Sequence, residues 1–309
     1  MNNIKFLNTA ARIKKDPNTG ENGVIQYLNL EIDESPNTVG WGSFPGAVAE
    51  QPTSLKMVTK SKAFALQRFQ VKANLPEQLN KDLLKLHGVD GSEMVKSALD
   101  HEMDQTILKN LLSKYDELSE ITKKSSYTKW QKIVLRYFPK TIFSHYIDEN
   151  RQGVEKLYSK IISESNKIRV RSRIKPANFI VCGSQIGSII QDHPGFSYES
   201  MGGNIMLQSE IVSHIGIIAG RVQVFVNANQ KFNDGSVILG RMTNPQESGV
   251  YFIYGDRENA TYADPISMKG NLITIQKAAI VSTDGAEKSF SKIHFIVGKR
   301  PWWKKLFNI

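Results

Sequence analysis

One stretch, Leu75 to Lys114, constrains the fold more than any other: a short helix, a break at Leu86-His87-Gly88-Val89-Asp90-Gly91, then one long amphipathic helix. Asn74 is placed to cap the first helix, with Pro76 in its first turn and Glu77 three residues after the cap. Gly88 and Gly91 are expected to end that helix and bend the chain. His87 adds a favourable cation at its C-terminus. Asp90 or Ser92 then caps the second helix. Its apolar residues Val95, Ala98, Leu99, Met103, Ile107, Leu108, Leu111, Leu112, Tyr115 and Leu118 recur at three- and four-residue spacing, which makes one stripe. From Ser92 to about Glu120 the rod is roughly 40 Å long. The opposite face (Lys96, Asp100, Glu102, Asp104, Lys109, Lys114) reads as solvated or turned to a neighbouring subunit. Periodicity alone also fits an ordinary long core helix.

The chain around this rod is long enough, at 309 residues, to bury a core in one large domain or two. No apolar run reaches the length of a membrane span, and Met1-Asn2-Asn3-Ile4-Lys5-Phe6 lacks a signal-peptide core. Cys182 is the one cysteine, which excludes an intrachain disulfide framework and fits synthesis in a reducing cytoplasm. The charge is localised. Residues 121 to 175 hold fourteen Lys and Arg against four Asp and Glu, a surplus equal to the +10 of the whole chain. Such a segment can meet nucleic acid or an acidic partner surface, or can simply be a solvated helical insertion.

Residues 1 to 54 read as loosely structured. The turn clusters Asp16-Pro17-Asn18-Thr19-Gly20 and Glu34-Ser35-Pro36-Asn37-Thr38 flank a short alternating run from Val24 to Ile32. Such an arm needs neighbours to hold it. Residues 55 to 73 alternate and predict one or two strands. Residues 121 to 172 read as helical, with Pro139 as a break. From Pro176 the chain becomes β-rich. Asn178 to Cys182 is a strand, followed by a turn and an N-capped helix to about Gln191. Strands follow at Ile211 to Ile218, Arg221 to Asn227, Ser236 to Arg241, Val250 to Tyr254, Leu272 to Ser282 and Ser291 to Val297. The fold class is α+β.

Catalytic signatures are absent. His87, His101, His145, His193, His214 and His294 lack helical zinc-site spacing. Cys182 sits in an apolar strand, where a free thiol is a small buried hydrophobe; an enzyme centred on it is the least favoured class. Asp192-His193 has no Gly-x-Ser-x-Gly partner, and Gly202-Gly203 lacks the rest of a phosphate cradle. Neither a metal nor a cofactor is expected. The tail Lys299-Arg300-Pro301-Trp302-Trp303-Lys304-Lys305-Leu306-Phe307 combines charge and aromatics suited to nucleic acid, a membrane surface or a neighbouring subunit.

Four blocks, in order along the chain, resemble the major capsid proteins of T-even-like tailed bacteriophages. The first is Lys62 to Ile107, with Leu79-Asn80-Lys81-Asp82-Leu83, the His87-Gly88-Val89-Asp90 break, Glu93, Leu99, Glu102 and Ile107. The others are Ala177 to Ser184, Gly216 to Asn227 and, more weakly, Gly249-Val250-Tyr251-Phe252. The last block continues as Ile253-Tyr254-Gly255-Asp256-Arg257, without the family's usual Pro-Tyr-x-Pro. Because matches begin at Lys62, the family's long cleaved N-terminal region is expected to be missing.

The resemblance implies the capsid-shell fold of tailed phages and herpesviruses. It divides the chain into an N-terminal arm (1–40), an extended loop with strands (41–73) and a peripheral domain with a spine helix (74–120). A basic helical segment (121–175) leads into an axial domain (176–248), then strands return to the peripheral domain (249–298), and a basic aromatic tail closes the chain (299–309). It implies the spine positions Val95, Leu99, Met103, Ile107 and Leu111, and a helix break at His87, Gly88 and Asp90. Expected subunit contacts are Phe44, Leu55, Met57 and Phe64 in arm and loop, and Met201, Gly202 and Gly203 in a loop from Gly195 to Ser209. Trp302 and Trp303 of the tail are expected to dock into a neighbour. The implied partners are copies of the chain in pentamers and hexamers, scaffold, portal and decoration proteins, and packaged double-stranded DNA without sequence specificity. No membrane is involved. The implied place is the virion head shell, assembled in the host cytoplasm. A vertex-only capsid paralogue and a cellular nanocompartment shell share the fold. A nucleic-acid-binding protein using residues 121–175 is the rival of a different class.

Overall fold

The computed structural model describes residues 11–15, 22–33, 54–88, 90–127, 144–148, 150–198, 212–241, 248–264 and 269–298. In chain order they form β1 (Ala11–Lys15), β2 (Asn22–Asp33), β3 (Ser54–Ala65), β4 (Gln67–Pro76), α1 (Glu77–His87) and α2 (Gly91–Ser126). Next come β5 (His145–Ile147), α3 (Arg151–Ser172), β6 (Phe179–Cys182), α4 (Ser184–Gln191), β7 (Phe196–Ser197), β8 (Val212–Ile218) and β9 (Val222–Asn227). The chain closes with β10 (Ser236–Gly240), β11 (Val250–Asp264), β12 (Lys269–Ser282), a 3-10 turn (Ala286–Ser289) and β13 (Phe290–Val297).

The direction in which strand residues point sets the layering. In β6, Phe179 and Val181 face one way while Ile180 and Cys182 face the other, and all four are buried. A strand apolar on both faces needs a layer on each side. On one side of the seven-stranded sheet (order β5-β13-β10-β6-β9-β8-β7) lie α3 and α4. Their Val154, Leu157, Ile161, Ile168, Ile186 and Ile190 pack on Ile180, Val224, Leu239 and Phe295. On the other side lies α2, whose Met103, Ile107, Leu111 and Tyr115 meet Phe179, Val181, Phe225 and Phe290. The same helix also packs on Val250, Phe252 and Ala278 of the four-stranded sheet (order β1-β11-β12-β4). The far face of that sheet, Tyr251, Ile253, Ala279 and Val281, is covered by Ile25, Tyr27, Phe64 and Leu66 at the base of a two-stranded hairpin, β2–β3. The order of layers is therefore helices, sheet, helix, sheet, hairpin.

Close approach in the larger sheet requires Gly240, because a Cβ there would stand 2.0 Å from Phe179 Cζ. At such contacts a side chain cannot be accommodated without moving the core.

Several boundaries differ from expectation. The first helix begins at Glu77, not after an Asn74 cap, because Asn74, Leu75 and Pro76 pair with Asn271, Gly270 and Lys269 of β12. A tertiary ladder overrides the local capping signal there. Gly91 does not end the first helix but opens the second. The expected arm is not free of regular structure: β1 pairs in parallel with β11, from Ala11↔Val250 to Lys15↔Tyr254. The boundary at 40/41 falls inside the hairpin, since β2 pairs with β3 across it, from Asn22↔Ala65 to Asp33↔Ser54. The basic segment is not wholly helical, for β5 pairs with β13. Nor do all of residues 249–298 return to one place: β11 and β12 build the four-stranded sheet, whereas β13 pairs with β10 in the larger one. The strand from Val250 runs on to Asp264, past a bulge between Tyr254 and Arg257. Gly183 takes the cap position of α4 with no side-chain bond, so the expected N-cap is not formed. The short β7 was not anticipated; it pairs with β8.

Candidate assembly surfaces

The rod is the element around which the rest is placed. Its 36 residues make it about 54 Å long, six residues longer at its C-terminus than the pattern indicated. Asp90 caps it: its carboxylate accepts the Ser92 N–H at 2.9 Å. Leu99, Met103, Ile107, Leu108, Leu111, Leu112, Tyr115 and Leu118 are buried, Val95 is half-buried and Ala98 is exposed. The stripe thus starts one turn later than its sequence register. Tyr115 stacks on Phe290 with ring centroids 5.0 Å apart, and burial pushes its phenol well above the usual range.

The joint between the helices has a definite geometry. Gly88 adopts φ +65°, a left-handed turn that glycine takes at little cost, and its N–H donates to the Leu84 carbonyl at 3.1 Å. The Gly91 N–H donates to Asn80 Oδ1 at 2.9 Å, and a Cβ at Gly91 would lie 2.8 Å from that oxygen. His87 is the last residue of α1 and is exposed. Leu84, Leu86 and Met94 give this corner an exposed apolar surface.

Two of the charges assigned to the solvated face of the rod lie elsewhere. Asp100 and Asp104 are half-buried and face Arg257, which follows the bulge in β11. The Arg257 guanidinium pairs with Asp104 and, at 3.5 Å, with Asp100, and donates to Gln276 Oε1 at 2.8 Å. Farther along, Lys292 of β13 pairs with Asp116 and, at 3.6 Å, with Glu120. One cation from each sheet therefore grips the same helix. Partly desolvated pairs of this kind fix position more than they add stability.

The hairpin is tied down at one end. Tyr27 is buried and its hydroxyl accepts the Asp284 N–H at 3.3 Å; Lys62 donates to the Ser282 carbonyl at 2.7 Å and pairs with Asp284 at 3.7 Å. Desolvation is the main cause that raises the Tyr27 phenol. Between this base and α2 lies a groove of about 480 Å³, lined among others by Phe64, Phe69, Asn110, Lys114, Glu117 and Ile280. Of the expected contact residues, Phe64 is half-buried at the base, while Leu55 and Met57 stand on β3 beyond it. Phe44, Met201, Gly202, Gly203, Trp302 and Trp303 lie outside the described residues.

Among the described residues, the candidate nucleophile and the histidines are not gathered into a reactive centre. Cys182 is buried, and burial pushes its thiol up to about 12, far from a nucleophile's range. His193 stacks on Tyr158, ring centroids 3.9 Å apart and planes nearly parallel, and its Nδ1 accepts the Gly195 N–H. Among the described residues, no group of three His, Cys, Asp or Glu could hold a metal ion, and no helix is long and apolar enough to cross a membrane.

A helix clasped between a four-stranded and a seven-stranded sheet, with a long hairpin leaving one end, is the α+β architecture of viral capsid-shell proteins. The structure is similar to a solved structure of Mycobacterium phage Adephagia, at TM-score 0.51 and 8% identity over 96% of this chain and 90% of that one. It is similar also to the capsid of Ralstonia phage GP4, at TM-score 0.50 and 11% identity over 95% and 88%. A comparison with curated protein sequences found no match. Residues 54–294 match the family Major capsid protein Gp23, and the chain belongs to that family. It is a structural protein that forms a capsid shell from copies of itself.

Proposed function

We propose that the chain assembles into pentamers and hexamers of an icosahedral or prolate head enclosing double-stranded DNA, and that it carries no enzymatic activity. The observation that carries this reading is the hairpin. β2 and β3 are 12 residues each, about 40 Å long, and among the described residues pair with each other alone. An isolated two-stranded ribbon is marginal in water. Among the described side chains, those of its base are seated on the chain's own core, and the hairpin is suited to lie across a neighbouring copy, as the extended loop. By the same reading α2 is the spine helix, the four-stranded sheet belongs to the peripheral domain, and the seven-stranded sheet forms the axial domain. Scaffold, portal and decoration proteins are the further partners, and assembly takes place in the host cytoplasm before the shell becomes part of the virion.

The test is electron microscopy with light scattering of the full chain over a concentration and salt series, alone and with its scaffold. Closed shells, tubes or hexamer rings are expected. The double substitution Leu55→Asp and Met57→Asp is expected to abolish them while leaving the melting temperature of the subunit nearly unchanged. Monodisperse monomer under every condition, scaffold included, would overturn the reading.

A further inference from the structure

The outward side of α3 has a chemistry that subunit contact does not require. Its inner side is apolar and packed on the seven-stranded sheet. Its outer side is basic along about 33 Å. Lys156, Arg169, Arg173 and Lys175 are exposed and Lys160 half-exposed, and among the described residues none of the five pairs with an acid. The two acids of the helix are already engaged, Glu155 by Arg151 at 3.5 Å and Glu164 by Lys167 and the Ser291 hydroxyl.

The field of this cluster reaches His145 of β5, an exposed residue beside it. His145 of β5 is held down at about 4, first by desolvation and then by Lys160, with Lys123 and Lys167 adding to it against Glu164. Between the cations stand Ser159, Ser163 and Asn166, short side chains that can donate hydrogen bonds. Val170 is the one large apolar residue of the helix that is fully exposed. Protein-binding surfaces keep charge at the rim and place aromatic or apolar anchors at the centre. This face instead sets cations on both flanks of a strip of short polar side chains, with Val170 as its exposed large apolar residue. Lys and Arg interleaved with Ser and Asn on a straight rod is the set that contacts phosphate oxygens without reading bases.

We propose that the outer face of α3 binds the phosphate backbone of double-stranded DNA without sequence preference. The inference rests on the shell reading for the source of the DNA, and it makes the α3 side of the seven-stranded sheet the side turned toward the packaged genome.

The test measures binding of the full chain to a fluorescent DNA duplex of about 30 base pairs over a salt series. The quadruple variant Lys156→Gln, Lys160→Gln, Arg169→Gln, Arg173→Gln is compared with a control, Lys85→Gln, Lys96→Gln, Lys109→Gln, Lys231→Gln, that removes equal charge elsewhere. Each phosphate contact releases about 0.9 counterion, so the α3 variant is expected to flatten the log–log salt slope by about 3 to 4; the control should change it by less than about 1. The charge-keeping pair Lys156→Arg, Lys160→Arg is expected to retain the full slope, which separates lost contact from lost folding. Equal flattening in both quadruple variants, or no flattening in either, would overturn the proposal. So would displacement of the duplex by poly-glutamate at equal charge concentration, which assigns the face to an acidic protein. Microscopy of the same samples separates the two readings. Shells without α3-dependent DNA binding sink the DNA proposal alone; α3-dependent binding without shells supports it and counts against the shell.

Discussion

The seven-stranded sheet and the β2–β3 hairpin are built from similar residues and reach opposite ends of self-sufficiency. In the sheet, β6 is buried on both faces and is bonded on both edges, to β10 and to β9. In the hairpin, among the described residues, each strand is bonded on one edge only, and the seated side chains Ile25, Tyr27 and Phe64 cluster at the base. The sheet satisfies its own hydrogen bonds and apolar surface within one chain. On the proposed reading, the hairpin leaves both for a neighbour to complete. The contrast locates where stability ends and assembly begins.

Three changes sharpen or break that contrast. The largest effect is expected at Phe179, which touches Tyr115, Phe290 and the Gly240 backbone. Phe179→Ala should cost about 3–5 kcal/mol in urea unfolding of the isolated subunit; a cost below about 1 would mean the sheet is not the stabilising half. At the hairpin base, Tyr27→Phe removes the hydroxyl that accepts from Asp284 and should cost about 0.5–1.5 kcal/mol. A larger loss would place the hairpin inside the cooperative core. The smallest effect is expected from pH. His145 is held at about 4 in the folded chain against an ordinary 6.5, so between these values the unfolded chain binds more protons. Stability is then fully present above about pH 6.5 and declines as pH falls toward 4. Urea midpoints of His145→Gln should lack that part of the decline, and an identical pH profile in both proteins would refute the assignment.

What could be read from the sequence follows from how local each signal was. The α2 stripe, a cap at Asp90 or Ser92, the Gly88 turn and the strands from Phe179 onward other than β7 were legible because 3.6-residue and two-residue periods are written in consecutive side chains. The end of β4 was not. Asn74-Leu75-Pro76 carries a helix-start signal, and its pairing with β12 is a contact some 195 residues away in sequence. Asp100 and Asp104 were misplaced for a related reason, because their partner Arg257 follows a bulge that nothing near the rod announces. The parallel pairing of β1 was equally silent, since five residues alternate too briefly to distinguish a strand from an arm. As for the proposed assembly surface, Leu55, Met57 and Phe64 were named through resemblance, while the basic face of α3 was visible first as a charge count.

The clasp on α2 also has a mechanical reading. Arg257 ties the helix to the β11–β12 ribbon near one end, and Lys292 ties it to the larger sheet near the other. Tension arriving through the hairpin base at Ser282 passes along β12, which is bonded to β11 over thirteen residue pairs. Pulled lengthwise, such a ladder shares the load among all its bonds at once instead of opening them one after another. The helix then distributes the remainder across two sheets, so each subunit resists a pull as a girder does, by spreading it over its whole depth.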